Sequence, residues 1–181
     1  LKGYLPTYAN TSWGRLIEEV GATNIALHEF PDKSWPKIDF ETLAEWDPDV
    51  IVLIGSKSSI VPALDKVRND SRFSVLKAVK EGRVYAIPAW SSLGAVLDWG
   101  PRIVVGYEYL AKLLHPEICG DIDWREDMAY LLKHFYGIEV LKQAFVAYSM
   151  KWKEVVDFRG KEVKVPLHVK RVVDLISYVT D

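Results

Sequence analysis

The chain has 181 residues, 23 of them Lys or Arg and 25 Asp or Glu, for a formal net charge of −2. Hydrophobic residues make up 49% and charged residues 27%, the composition of an ordinary folded domain large enough to close a core without disulfides. The charge balance provides no basic field for nucleic acid, and no apolar run approaches the ~18 residues of a membrane span. Cys119 stands alone, so the sequence contains neither a disulfide framework nor a cysteine metal site. Leu1-Lys2-Gly3-Tyr4 reads as mid-protein sequence rather than as a secretory signal.

In chain order, Thr11 or Ser12 caps a predicted helix over 13–20 that Gly21 stops. A short strand is expected near Ile25–Leu27, then a loop from Phe30 to Lys37 containing Pro31 and Pro36. Asp39 caps a helix over 40–46, ended by Pro48. Val50-Ile51-Val52-Leu53-Ile54 is a β-branched apolar run, the signature of a strand buried on both faces of a parallel sheet. Gly55-Ser56-Lys57-Ser58-Ser59 turns into a helix, with Pro62 placed in its first turn. A helix over 73–80 leads through Glu81-Gly82-Arg83 to a second buried strand, Val84-Tyr85-Ala86-Ile87. Pro101 opens a helix to Leu114 from its first position, and Asp123 caps another from Trp124 to Tyr136 before Gly137. Residues 140–153 read as helical. Residues 155–157 and 162–165 read as short strands about a turn at Arg159-Gly160, and a further strand begins at Arg171.

Strands alternating with helices define an α/β fold: a three-layer lobe with a mostly parallel central sheet flanked by helices, plus a short β-rich C-terminal tail. Ligands of such sheets bind at the carboxyl ends of the strands. That rule selects the loops 7–13, 30–35 and 90–99. Trp90, Ser91 and Ser92, with Asp98 and Trp99, offer aromatic faces, hydroxyls and a carboxylate for a bulky ligand with polar edges. Trp99 packed under the following helix, with Asp98 capping that helix, is the alternative.

Tests for chemistry are negative. Gly55-Ser56-Lys57-Ser58 has the setting of a phosphate loop but lacks glycine directly before the lysine, so a polar helix cap accounts for it. The histidines His28, His115, His134 and His168 form no zinc-binding spacing, and no serine-hydrolase elbow occurs. Asn10-Thr11-Ser12 and Asn69-Asp70-Ser71 match the glycosylation acceptor pattern, and helix capping explains both equally. No catalytic residue, metal site or cofactor is predicted.

Several ordered segments resemble one family. They are Gly14 to Ala26, Ile38 to Val52 with its Pro48-Asp49-Val50-Ile51-Val52, Lys77 to Tyr85, Gly100-Pro101-Arg102 and His115-Pro116-Glu117. Together, over residues 5–137, they resemble the C-terminal lobe of the helical-hinge (class III) solute-binding proteins of ABC importers, receptors for ferric siderophores, haem and cobalamin. The tail, Val156 to Pro166 and Lys170 to Val173, resembles the opening of such a receptor. The resemblance therefore divides the chain into a C-terminal lobe with its closing helices (1–154) and the start of a second, incomplete repeat (155–181).

The resemblance implies a binding protein rather than an enzyme, for an iron chelate or corrinoid. Its implied partners are ABC permease subunits and an N-terminal lobe of the parent chain. It implies a place at the extracellular or periplasmic face of the membrane, with anchoring through other parts of the parent. Glu41 matches the acidic residue that docks on the permease, and Trp35 matches an aromatic position lining the cleft. Tyr8, Asn10 and Trp13 belong to the first cleft loop, and Trp90, Ser91, Ser92, Asp98 and Trp99 to another. The alternatives are a chelatase-like α/β enzyme lobe and a protein–protein module whose tail strands add to a neighbouring sheet.

Overall fold

The computed structural model describes residues 3–89, 100–141, 145, 148–149 and 171–176. Its elements follow in order: β1 (Leu5–Pro6), α1 (Ser12–Glu19), β2 (Thr23–Asn24), α2 (Ile25–Glu29), β3 (Lys37–Ile38), α3 (Phe40–Trp46), β4 (Val50–Gly55) and α4 (Lys57–Asn69). A 3-10 turn (Ser71–Val75) leads to α5 (Lys77–Lys80), β5 (Val84–Pro88), α6 (Ile103–Leu114), α7 (Pro116–Cys119), α8 (Trp124–Tyr136), β6 (Tyr148–Ser149) and β7 (Arg171–Ile176).

The five-stranded sheet has the order β2-β7-β4-β5-β6. β2, β7, β4 and β5 run parallel, and β6 closes one edge antiparallel to β5. All six residues of β4 are buried, and their alternation assigns them to two separate cores. Val50, Val52 and Ile54 face Trp13, Leu16 and Ile17 of α1, Val105, Tyr109 and Leu110 of α6, and Met128 and Leu132 of α8. Ile51 and Leu53 face Leu43 and Trp46 of α3, Ile60, Leu64 and Val67 of α4, and Phe73 of the 3-10 turn. Two helical layers thus sandwich the sheet, as the continuous apolar run at 50–54 requires. Each large side chain in these cores contributes roughly 1.5–3 kcal/mol of burial.

Most predicted boundaries agree within a residue or two. Thr11 caps α1 through a bond from the Gly14 N–H at 3.0 Å, and Asp39 caps α3. α8 spans Trp124–Tyr136, with Asp123 as its cap and Gly137 in the left-handed region at φ 67°. α3 ends on Asp47, also left-handed at φ 37°, whose carboxylate accepts the Lys77 N–H at 2.8 Å. The next carboxylate, Asp49, meets Lys77 Nζ at 2.5 Å and lies 4.0 Å from the buried Arg83 guanidinium. These charges bind the turn before β4 to the turn before β5 at the amino edge of the sheet.

Five expectations are corrected. The strand expected at 25–27 lies earlier, at Thr23–Asn24, because the Asn24 side chain caps Ala26 N–H and starts α2 there. The helix expected over 73–80 is broken: a 3-10 turn ends at Val75 and Leu76 is extended (φ −70°, ψ 138°) before α5. Pro62 sits at the sixth residue of α4, past the first turn, where its ring leaves one helical bond unmade. Pro101 precedes α6 in a turn, and Arg102, not Pro101, is the residue at the helix boundary. Residues 148–149 are a strand rather than helix. The predicted strands at 155–157 and 162–165 lie outside the described residues, whereas 171–176, which the sequence assigns to the tail, is the sheet's second strand.

α6 and α8 pack with Tyr109 edge-on to Trp124 at 5.1 Å. Beside that contact, burial and the facing Asp127 carboxyl push Glu108 above its ordinary value of 4.5. A raised folded value means the contribution is complete below the unfolded value and is lost as pH rises through the folded one. Accordingly, Glu108→Gln should raise the melting temperature at pH 7 more than at pH 4, flattening the pH profile measured by thermal denaturation. An equal shift at both pH values would remove the carboxyl pair from the account.

Candidate functional site

The carboxyl edge of the sheet is located by two sets of contacts. At the end of β4, the Gly55 carbonyl accepts the Ala89 N–H at 2.8 Å, which brings the exits of β4 and β5 side by side. At the end of β2, Asn24 is fully buried and its amide Nδ2 donates to two carbonyls, Tyr8 at 2.9 Å and Gly14 at 3.0 Å. The same residue's Oδ1 accepts from Ala26 N–H at 3.1 Å. One side chain therefore holds the 8–11 loop and the first turn of α1 on the strand end and starts the next helix. Gly14 is required by this fit: a Cβ there would lie 2.0 Å from the Ala9 carbonyl oxygen.

The 31–36 loop is laced onto the 7–10 loop. Thr7 N–H and Thr7 Oγ1 both donate to the Pro36 carbonyl, at 2.9 and 3.2 Å. Ala9 N–H bonds Ser34 O at 3.1 Å, and Asn10 N–H bonds Lys33 O at 2.8 Å. Asn10 Nδ2 reaches the Pro31 carbonyl at 2.8 Å, while its Oδ1 accepts from Arg15 Nε and Nη2 at 3.0 and 2.8 Å. Below this stitching, β1 and β3 pair antiparallel, Leu5 opposite Ile38. The two loops form one fixed rim.

Trp35 stands on that rim with 62% of its surface exposed. Its ring is therefore outside the two cores. Nearby, Lys33 Nζ lies 5.0 Å from the Phe30 ring centroid. The start of α4, at the exit of β4, carries three hydroxyls in contact: Ser56 Oγ is 3.0 Å from Ser58 Oγ and donates to Ser59 Oγ at 3.1 Å. Ser56 stands at the N-cap position without making a side-chain cap bond, so the polar-cap reading of 55–58 holds for its place and not for its bonding.

The residues selected from the sequence separate into three groups. Asn10 and Trp35 lie on the rim, Asn10 as its fastener and Trp35 as its exposed face. Tyr8 and Trp13 are 3% and 2% exposed and pack edge-to-face at 5.2 Å, so the structure places their rings in the core beneath the rim. Trp90, Ser91, Ser92, Asp98 and Trp99 lie outside the described residues. Glu41 is exposed in the first turn of α3. Its helix is started by Asp39, which accepts from Thr42 N–H at 2.8 Å and Thr42 Oγ1 at 2.7 Å, bonds that hold the Asp39 carboxyl below 3.8.

The sequence reading did not single out Asn24. The available signal was a polar residue set between Ala22 and the apolar Ile25-Ala26, a position where a buried amide needs several partners. Among the described residues, no three His, Cys, Asp or Glu side chains cluster to hold a metal ion, and no helix is long and apolar enough to cross a membrane.

A mostly parallel sheet between two helical layers, with two of its carboxyl-edge loops locked into one rim, defines an α/β lobe. Comparison with known proteins identifies its kind. The periplasmic binding protein family matches residues 1–90, and the chain belongs to that family. The molybdate-binding protein MolA of Haemophilus influenzae is 26% identical over 137 residues, covering 73% of this chain and 36% of that protein. A periplasmic solute-binding protein from Veillonella parvula superposes with a TM-score of 0.59 at 23% identity, over 77% of this chain and 42% of that one. The TroA-like periplasmic binding protein FepB from the same species gives 0.57 at 24% identity, over 75% and 42%. The chain thus spans well under half the length of these relatives, which are solute-binding proteins.

If Asn24 seats the rim, Asn24→Ala should cost about 2–4 kcal/mol in urea unfolding, because two buried carbonyls lose their donor. Asn24→Asp should cost at least as much, since a carboxylate accepts but cannot donate to them. A loss under about 0.5 kcal/mol for both would show that the loop is held by other means.

Proposed function

We propose that this chain is one ligand-binding lobe of the substrate-binding component of an ABC importer. It presents the carboxyl-edge rim to an iron chelate or a corrinoid and works with a second lobe and the permease. The observation that carries this reading is the exposed Trp35 on a rim locked by Asn10, Thr7 and Asn24. An aromatic face at low conformational cost suits a ligand with a ring or a broad apolar flank. Capture then needs no catalytic group, only complementary walls. In this reading Glu41 docks on the permease, favoured at its helix start by the macrodipole. Trp90, Ser91, Ser92, Asp98 and Trp99, which follow β5 in sequence, are proposed as further ligand contacts. Family membership supports a periplasmic location, with any membrane attachment supplied by the parent protein.

A second reading concerns the ligand alone. MolA is named as a molybdate-binding protein, and here three clustered hydroxyls, Ser56, Ser58 and Ser59, stand at the start of the 13-residue α4. Backbone N–H groups and hydroxyls at a helix start suit a tetrahedral oxyanion. This relative is the reason to test both ligand classes.

One wall of a cleft buries much less of a ligand than a closed pair does. The chain on its own should therefore bind ferric siderophore, haem, cobalamin or molybdate with Kd near or above about 1 mM. Two-dimensional NMR titration should show shifts confined to the rim, at Asn10, Trp35 and Ser56–Ser59. Shifts around Trp35 without Ser56–Ser59 select the chelate or ring ligand, and the converse selects the oxyanion. Sub-micromolar affinity, or shifts at the amino edge around Asp49 and Arg83, would refute the one-wall reading.

A further inference from the structure

The rim carries two cations, Arg15 and Lys33, against one carboxylate, Asp32, over the segments 7–15 and 30–36. Among the described residues, neither cation is paired with a carboxylate. Lys33 Nζ lies over the Phe30 ring instead. Cations away from the rim are spent differently: Arg72 pairs with Asp70, Arg83 with Glu81, Lys77 with Asp49 and Lys133 with Glu139.

Arg15 has two carboxylates within helical reach and is paired with neither. Glu18 and Glu19 follow it at i+3 and i+4, the spacings at which charged side chains of a helix meet. Both are engaged by other elements. Glu18 Oε1 accepts the Asn24 N–H at 2.6 Å and lies 3.2 Å from His28 Nε2. Glu19 Oε2 accepts the Tyr107 hydroxyl of α6. The exposed Arg15 reaches the other way, to Asn10, whose Oδ1 takes Nε and Nη2 at 3.0 and 2.8 Å. Asn10 Nδ2 is fixed in turn on the Pro31 carbonyl. A neutral amide therefore holds the guanidinium on the rim and leaves its charge uncompensated. Of the five N–H donors of a guanidinium, two go to Asn10, which leaves both hydrogens of Nη1 and one of Nη2. Nη1 and Nη2 together form the edge that takes two oxygens of one anion.

We propose that Arg15 is the residue by which the rim selects an anionic iron chelate, its Nη1–Nη2 edge binding two adjacent anionic oxygens of the ligand. Lys33, on the loop bonded to Asn10, adds a second positive charge to the same rim. The assignment rests on the reading that the carboxyl-edge rim meets ligand, and it narrows the ligand by charge. An anionic chelate gains a charge-assisted fork, and a neutral chelate of the same shape does not.

The test titrates the full chain, followed by two-dimensional NMR, with two diamagnetic stand-ins for iron chelates of similar size. One is an anionic gallium(III) tris-catecholate and the other a neutral gallium(III) trihydroxamate. The anionic chelate should bind about fivefold more tightly and should move the Arg15 Nε–H resonance together with Asn10. That preference should shrink as salt is raised from about 0.05 to 0.5 M, because the site is exposed. Arg15→Gln should cut it to less than about twofold, and Arg15→Lys, a point charge without the planar fork, should keep part of it. Equal affinity of the two chelates for the rim, or a preference unchanged in Arg15→Gln, would overturn the proposal and leave the one-wall reading in place. Sulfate at the same ionic strength moving Arg15 as far as the tris-catecholate does would also overturn it, reducing the group to a general anion contact. Shifts confined to the amino edge, or none at the rim with either chelate, would overturn the one-wall reading together with the proposal.

Discussion

The buried amide of Asn24 is the contact on which the binding edge depends. It terminates β2, starts α2, and holds the 8–11 loop and the first turn of α1 through the carbonyls of Tyr8 and Gly14. A buried carbonyl without a donor costs about as much as several surface contacts gain, so the loop's path is fixed by that pair of bonds. From the 8–11 loop the constraint passes outward: Thr7, Ala9 and Asn10 bond the 31–36 loop, and that loop carries Trp35 into the open. Gly14 makes the arrangement possible, since any side chain there would occupy the place of the Ala9 carbonyl.

The two edges of the sheet do different work. At the amino edge, charged groups are spent on each other: Lys77 and Arg83 on Asp49 and Glu81, and the Lys77 N–H on Asp47. These contacts tie turns together. At the carboxyl edge, backbone and amide bonds do the tying, while an aromatic ring and a set of hydroxyls remain at the surface. That separation is the physical basis for the proposal that ligand meets the carboxyl edge.

Much of the fold was legible because its signals are local. The apolar run at 50–54, the caps at Asp39 and Asp123 and the stop at Gly137 each act within one turn of chain, and all appear where expected. Errors arose where a tertiary contact outweighed a local preference. Ile25-Ala26-Leu27 has the composition of a strand, yet the Asn24 cap makes it helical. Tyr8 and Trp13 have the aromatic character of cleft residues, yet each ring finds the other under the rim. Nothing near Arg171 in sequence indicates that its strand belongs between Thr23 and Val50, because that pairing joins residues more than a hundred positions apart. Trp35 could be selected by resemblance, while its exposure became visible only with the lacing of the two loops.

The central claim is that the carboxyl-edge rim is the surface that meets ligand. It can be tested by replacing the seven tryptophans with a fluorinated analogue and following each by fluorine NMR during titration with ferric siderophore, haem, cobalamin and molybdate. Assignment by single Trp→Phe substitutions separates Trp35 from the core residues Trp13, Trp46 and Trp124. The account predicts that the Trp35 resonance moves in a saturable manner with a chelate or ring ligand, while Trp46 and Trp124 stay in place. Saturable binding that leaves Trp35 unmoved and shifts Trp46 or Trp124 would contradict it.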